Sequence, residues 1–108
     1  MDFAKRITED HARARVAIAL AAAALGTPAE KISSSARATK VAFARQVAMY
    51  LAYVGFGMSL GRVAAAFGRD RSTIAYACRL MEERREEPAF DRWMESLEVS
   101  AANAPVSA

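Results

Sequence analysis

A chain of 108 residues with 54% apolar side chains and a net charge of +3 is the size of one domain. Alanine supplies 26 of the apolar residues and arginine 12 of the 15 cations, so the core is modest and built largely from small side chains. One cysteine and one histidine exclude a disulfide framework, a thiolate zinc site and histidine-based catalysis, and no G-x-x-x-x-G-K-[ST] run offers a phosphate cradle; neither enzyme activity, metal nor cofactor is expected.

The pattern predicts an all-α domain of about six helices, with no β-type alternation and no hairpin turn. The first helix spans about 8–25 and stops at Gly26, a residue suited to left-handed φ. Its apolar run, 16–25, is half the length of a membrane span. Asp2, Glu9 and Asp10 ahead of that run argue against an export signal, so a cytoplasmic, nucleoid-associated location without membrane contact is expected. Thr27-Pro28-Ala29-Glu30 reads as a capping box opening a short helix that closes near Ile32. After the serine loop 33–35, a helix over 39–54 puts Phe43, Val47, Tyr50, Leu51 and Val54 on one face, and Gly55 and Gly57 break it.

Ser59 then caps a short helix over 60–67, Gly68-Arg69-Asp70 makes a tight turn, and Asp70 caps a longer helix over 71–86. Ile74, Ala77, Cys78 and Met81 form the inward stripe of that helix, with Ser72, Tyr76, Arg79 and Glu83 opposite. Pro88 starts a last helix through Leu97, packing Phe90 and Trp93, so the domain is expected over 1–98 and a disordered tail over 99–108.

Charge is segregated along the chain. Residues 1–34 carry net +1, residues 35–79 net +6 with Asp70 the lone acid, and residues 80–108 net −4. A basic middle beside an acidic end fits an anion-binding surface, most often nucleic acid. A short helix, a glycine turn and a longer helix describe a helix-turn-helix, for which an αα-hairpin in a plain bundle is the alternative. The longer helix opens Asp70-Arg71-Ser72-Thr73, and guanidinium and hydroxyl groups at a helix start suit base edges in a major groove. Lys40, Arg62, Arg69, Arg79 and Arg37 are the expected phosphate contacts; about six contacts give a log–log salt slope near −5 at roughly −0.9 each.

Several runs carry a resemblance: Val41-Ala42-Phe43-Ala44-Arg45-Gln46-Val47-Ala48-Met49-Tyr50-Leu51, Ser59-Leu60, Ala66-Phe67-Gly68-Arg69-Asp70-Arg71-Ser72-Thr73-Ile74 and Ala77-Cys78-Arg79. In this order they resemble the C-terminal DNA-binding domain of the bacterial replication initiator DnaA, over about 14–98. The resemblance implies that Arg45 enters the minor groove and that Asp70, Arg71, Ser72 and Thr73 read bases in the major groove. It further implies that Tyr76 stands where a histidine reaches phosphate or a thymine methyl, and that Leu60, Gly61 and Arg62 approach phosphate through their backbone. The chain departs from the family pattern at Arg71 for histidine, Ala44 for proline, Gly61-Arg62 for Pro-Glu, and a turn one glycine shorter. These departures point to a shifted DNA site, with Arg71 preferring guanine.

Nothing in the chain resembles the initiator's ATPase module. The resemblance therefore implies a stand-alone alphaproteobacterial regulator of duplex DNA. The first expectation is a transcription regulator similar to the DNA-binding part of gene transfer agent activators, working with a sigma-like partner and RNA polymerase. The alternative is a modulator of chromosome replication initiation acting through a replication-initiation factor.

Overall fold

In the computed structural model, which describes residues 2–106, the chain forms α1 (Phe3–Leu25), α2 (Ala29–Ser33), α3 (Thr39–Gly55), α4 (Leu60–Phe67), α5 (Arg71–Arg84) and α6 (Pro88–Asn103). The all-α, six-helix expectation is met. Helix α3 is the axis of the molecule, packing on every other helix. Val47, Ala48, Met49, Tyr50, Leu51 and Ala52 along it are all buried, so it presents apolar atoms on nearly every side.

Helix α1 lies on α3, and its Ala14, Ala17 and Ala21 are buried. Side chains this small let the two backbones come close, which accounts for a share of the alanine content. The helix begins five residues earlier than its apolar pattern predicts, because the Asp2 carboxylate caps it by accepting from the Ala4 N–H at 3.0 Å. It ends as expected: Gly26 takes φ 63° and the N–H groups of Gly26 and Thr27 both return to the Ala22 carbonyl. The capping box does not form. Pro28, not Thr27, occupies the N-cap position of α2, and no side chain caps that helix.

The tail prediction also needs correcting. Helix α6 continues to Asn103 instead of ending at Leu97, with Ala101 buried. The reason lies on α3: a Cβ added at Gly55 would meet Ala101 Cβ at 3.2 Å and Leu51 Cδ1 at 3.3 Å. The missing side chain at Gly55 is the seat for the last turn of α6. Ser107 and Ala108 fall outside the described residues.

Two charged clusters tie the bundle. Asp10 of α1 is buried and accepts from Arg62 of α4 twice, at 2.9 and 2.6 Å, and from Arg13 at 2.9 Å. At the α5–α6 corner, the Arg85 guanidinium meets Asp91, the Tyr50 hydroxyl at 3.1 Å and Glu98 at 2.6 Å.

The hydrogen bond from Arg62 holds the Asp10 carboxyl below its ordinary 3.8, against the opposing effect of burial. A depressed carboxylate stabilises the fold above its unfolded pKa, and the contribution fades as pH falls through the folded value, here below 3.8. Asp10→Asn is therefore expected to cost about 1–2 kcal/mol at neutral pH, discounted for the partial exposure of Arg62. The difference from wild type should narrow in acid, checked by urea denaturation at pH 7 and pH 3. An equal gap at both values would mean that the carboxylate charge plays no part.

Candidate nucleic-acid interface

The α4–α5 pair is built by three local signals. Ser59 Oγ accepts from the Arg62 N–H at 3.2 Å and opens α4. Gly68 takes φ 64°, which a Cβ would strain, and closes it. The Arg69 N–H then returns to the Ala64 carbonyl at 3.0 Å, so the chain leaves the turn directly into α5. Asp70 sits at the N-cap of α5 with extended backbone, but its carboxylate makes no capping bond and remains exposed.

Ile74, Ala77, Cys78 and Met81 anchor α5 to the core. Burial first, and Glu82 second, push the Cys78 thiol up to about 11. The first turns of α5 present Arg71, Ser72, Thr73 and Tyr76 to solvent, and Tyr76 is 51% exposed. The Arg79 guanidinium lies 5.4 Å from the centre of the Tyr76 ring and 4.0 Å from Glu83. Asp70, Arg71, Ser72, Thr73, Tyr76 and Arg79 are thus all exposed, around the start and along the outer side of α5. Leu60 is half-buried and Gly61 exposed at the start of α4, where the first N–H groups have no intrahelical acceptor.

Three predicted DNA contacts are engaged within the protein. Arg45, expected in a minor groove, is only 7% exposed. Its Nε donates to the Ile32 carbonyl at 2.8 Å, and its Nη2 to the carbonyls of Lys31 at 3.1 Å, Ser34 at 2.7 Å and Ala36 at 3.1 Å. Arg69 donates to the same Ser34 carbonyl at 2.6 Å. Arg62 is spent on Asp10. Burial first, and the Arg69 charge second, lower the Arg45 pKa, although a guanidinium stays charged at neutral pH.

Arg37 is exposed on loop 34–38, and Lys40 is exposed in the first turn of α3. Lys40 also stands on the rim of an apolar recess floored by Leu25, Phe43, Phe90 and Trp93. Arg84 partly roofs that recess, 4.9 Å from the Phe43 ring and 5.3 Å from Phe90. Sequence reasoning missed Asp10 and the Arg85 cluster. The i, i+3 spacing of Asp10 and Arg13 was the available signal for the first; Arg62, 52 positions away, left none.

Two packed helices joined by a glycine turn, the second carrying an exposed polar start, define a helix-turn-helix domain. Comparison with known proteins narrows the class. The family described as bacterial DnaA protein helix-turn-helix matches residues 14–80. A chromosomal replication initiator protein DnaA 2 from Chlamydia trachomatis is 45% identical over 61 residues, which are 56% of this chain and 13% of the relative. The DnaA of Thermodesulfovibrio yellowstonii is 32% identical over 76 residues, covering 68% of this chain and 17% of that protein. The crystal structure of a DNA replication initiation factor superposes with a TM-score of 0.82 at 27% identity, over 92% of this chain and 31% of the other.

The chain belongs to the bacterial DnaA helix-turn-helix family and is a DNA-binding module of it. It spans between an eighth and a fifth of the curated relatives it matches. Among the described residues no group of three His, Cys, Asp or Glu side chains is placed to hold a metal, and no helix is long and apolar enough to cross a membrane.

Proposed function

We propose that this chain binds duplex DNA sequence-specifically and acts in the control of chromosome replication initiation. The exposed strip on α5 carries the reading: Arg71, Ser72 and Thr73 stand free at a helix start, the arrangement that base edges in a major groove require. Tyr76 and Arg79 flank the strip toward phosphate, with Arg37 on the neighbouring loop and Lys40 beyond it. Arg45, first assigned to the minor groove, is here a buried anchor of that loop. The replication role is supported by the named relatives, which are replication initiators. The transcription reading, with a sigma-like partner and polymerase, gains no support from them.

With Arg45, Arg62 and Arg69 engaged internally, about four cations remain for DNA: Arg37, Lys40, Arg71 and Arg79. The log–log salt slope is then expected near −3.5, shallower than the −5 of a simple charge count, at roughly −0.9 per phosphate. Selection from a random duplex pool, followed by titration of the enriched site from 50 to 200 mM salt, checks both statements. Absence of any enriched sequence would defeat the DNA reading. Mapping of bound sites across the genome separates the two roles: occupancy at the replication origin supports this proposal, and occupancy confined to promoters supports the transcription reading.

A further inference from the structure

We infer that Arg45 is a positioning residue, holding loop 34–38 against the helix-turn-helix so that Arg37 meets DNA in fixed register with α5. The inference rests on the DNA reading above. Arg45 lies in α3, yet its guanidinium spans the end of α2 and the loop, gathering the carbonyls of Lys31, Ile32, Ser34 and Ala36. The first two are C-terminal carbonyls of a five-residue helix: the Lys31 carbonyl also accepts from the Ser34 N–H at 3.1 Å, whereas the Ile32 carbonyl lies past the last intrahelical bond. Besides this and the Ser34 N–H bond, the loop is ordered by the Ala36 N–H, which donates to Ser34 Oγ, and by Ser34 Oγ, which donates to the Lys31 carbonyl.

Arg69 makes the link to the reading helix. It belongs to the turn that immediately precedes α5 and donates to the Ser34 carbonyl already held by Arg45. One oxygen therefore joins α3, the loop and the turn. Among the described residues neither guanidinium has a carboxylate within 4.0 Å, so two like charges face each other across that oxygen. A DNA phosphate arriving outside them relieves their repulsion, so DNA binding and the clamp reinforce each other. Only a planar fork reaches carbonyls on both sides in this way; a lysine ammonium offers its donors from a single point.

The test is a double-mutant cycle on the enriched duplex at several salt concentrations, using Arg37→Ala, Arg45→Gln, Arg45→Lys and the pair Arg37→Ala/Arg45→Gln. Arg37→Ala is expected to weaken binding about tenfold and to flatten the salt slope by about 0.9. Arg45→Gln should reproduce both changes, Arg37→Ala should add nothing in that background, and Arg45→Lys should recover less than half of the loss. Thr73→Ala must keep its full effect in the Arg45→Gln background, which separates a displaced loop from a damaged fold. If Arg45→Gln does not fold, Arg69→Ala removes one of the two donors to Ser34 and should show the same non-additivity with Arg37→Ala.

Additive losses, near a hundredfold for the pair, would overturn the inference. So would loss of preference at one base pair in Arg45→Gln with the Arg37 effect intact, since that identifies a direct reader. If the wild type prefers no duplex, the DNA reading fails by itself. Hydrogen exchange at the Ala36 amide then judges the clamp separately: faster exchange in Arg45→Gln upholds it, and unchanged exchange rejects it.

Discussion

Arg71→Ala is expected to cost about 1–3 kcal/mol on the preferred duplex, roughly 5- to 150-fold, with a smaller loss on random duplex. The expectation follows from position. Arg71 is the first residue of α5, is exposed, and makes no hydrogen bond or ion pair among the described residues. A free guanidinium at a recognition-helix start matches guanine O6 and N7 with two parallel bonds. Arg71→Lys should lose most of the discrimination while keeping the charge, because an ammonium lacks the fork. Arg71→His, which restores the side chain of the family pattern, should move the preference at one base pair and leave the other positions as they were. Binding to a panel of single-base-pair variants reads all three. Identical preferences in Arg71→His and wild type would remove Arg71 from the reading surface.

The largest loss of stability is expected at Arg85. Arg85→Ala should destabilise the domain by about 3–5 kcal/mol, because it strands the partners of a largely buried cation. The Arg85 side chain is 16% exposed and holds Asp91, Glu98 and the hydroxyl of Tyr50, itself 1% exposed. Burial works against the guanidinium charge, but the hydrogen bonds that Arg85 donates to Asp91 and Tyr50, with the Glu98 carboxylate beside it, outweigh that cost and raise the Arg85 pKa. Without Arg85 two carboxylates and a phenol share the corner where α6 meets α3. At about 4–8 °C per kcal/mol for a domain near this size, the midpoint of thermal unfolding should fall by about 12–40 °C. A triple change to Arg85→Met, Asp91→Asn and Glu98→Gln should cost far less, since it leaves no unpaired charge. A loss below 1 kcal/mol for Arg85→Ala would show that the cluster behaves as an exposed ion pair.

The helices and the α5 strip were legible in the sequence for a common reason: both depend on neighbours in the chain. Gly26, Ser59 and Gly68 punctuate through their own backbone conformation or a bond three residues away. Arg71, Ser72 and Thr73 are exposed because they open a helix whose apolar stripe faces the other way. The fate of the other arginines was not legible, because each is decided by a partner distant in sequence. Arg62 looks like a phosphate contact until Asp10, 52 residues earlier, is seen to fold against it. Arg45 binds only carbonyls, and every residue has a carbonyl, so its anchoring leaves no trace in composition or spacing. The extension of α6 depended likewise on the empty seat at Gly55, which read locally as a helix breaker.

The placement of Cys78 gives the reading helix a built-in clock. The thiol is the only one in the chain, lies behind α5 against the core, and stays protonated at neutral pH, so alkylating reagents meet no thiolate while the helix is seated. Chemical labelling at this position therefore counts the moments when α5 lifts from the bundle. On the proposed reading DNA engages the opposite side of the same helix, so every duplex that favours the seated state slows that count by mass action, without the label ever touching the bound surface.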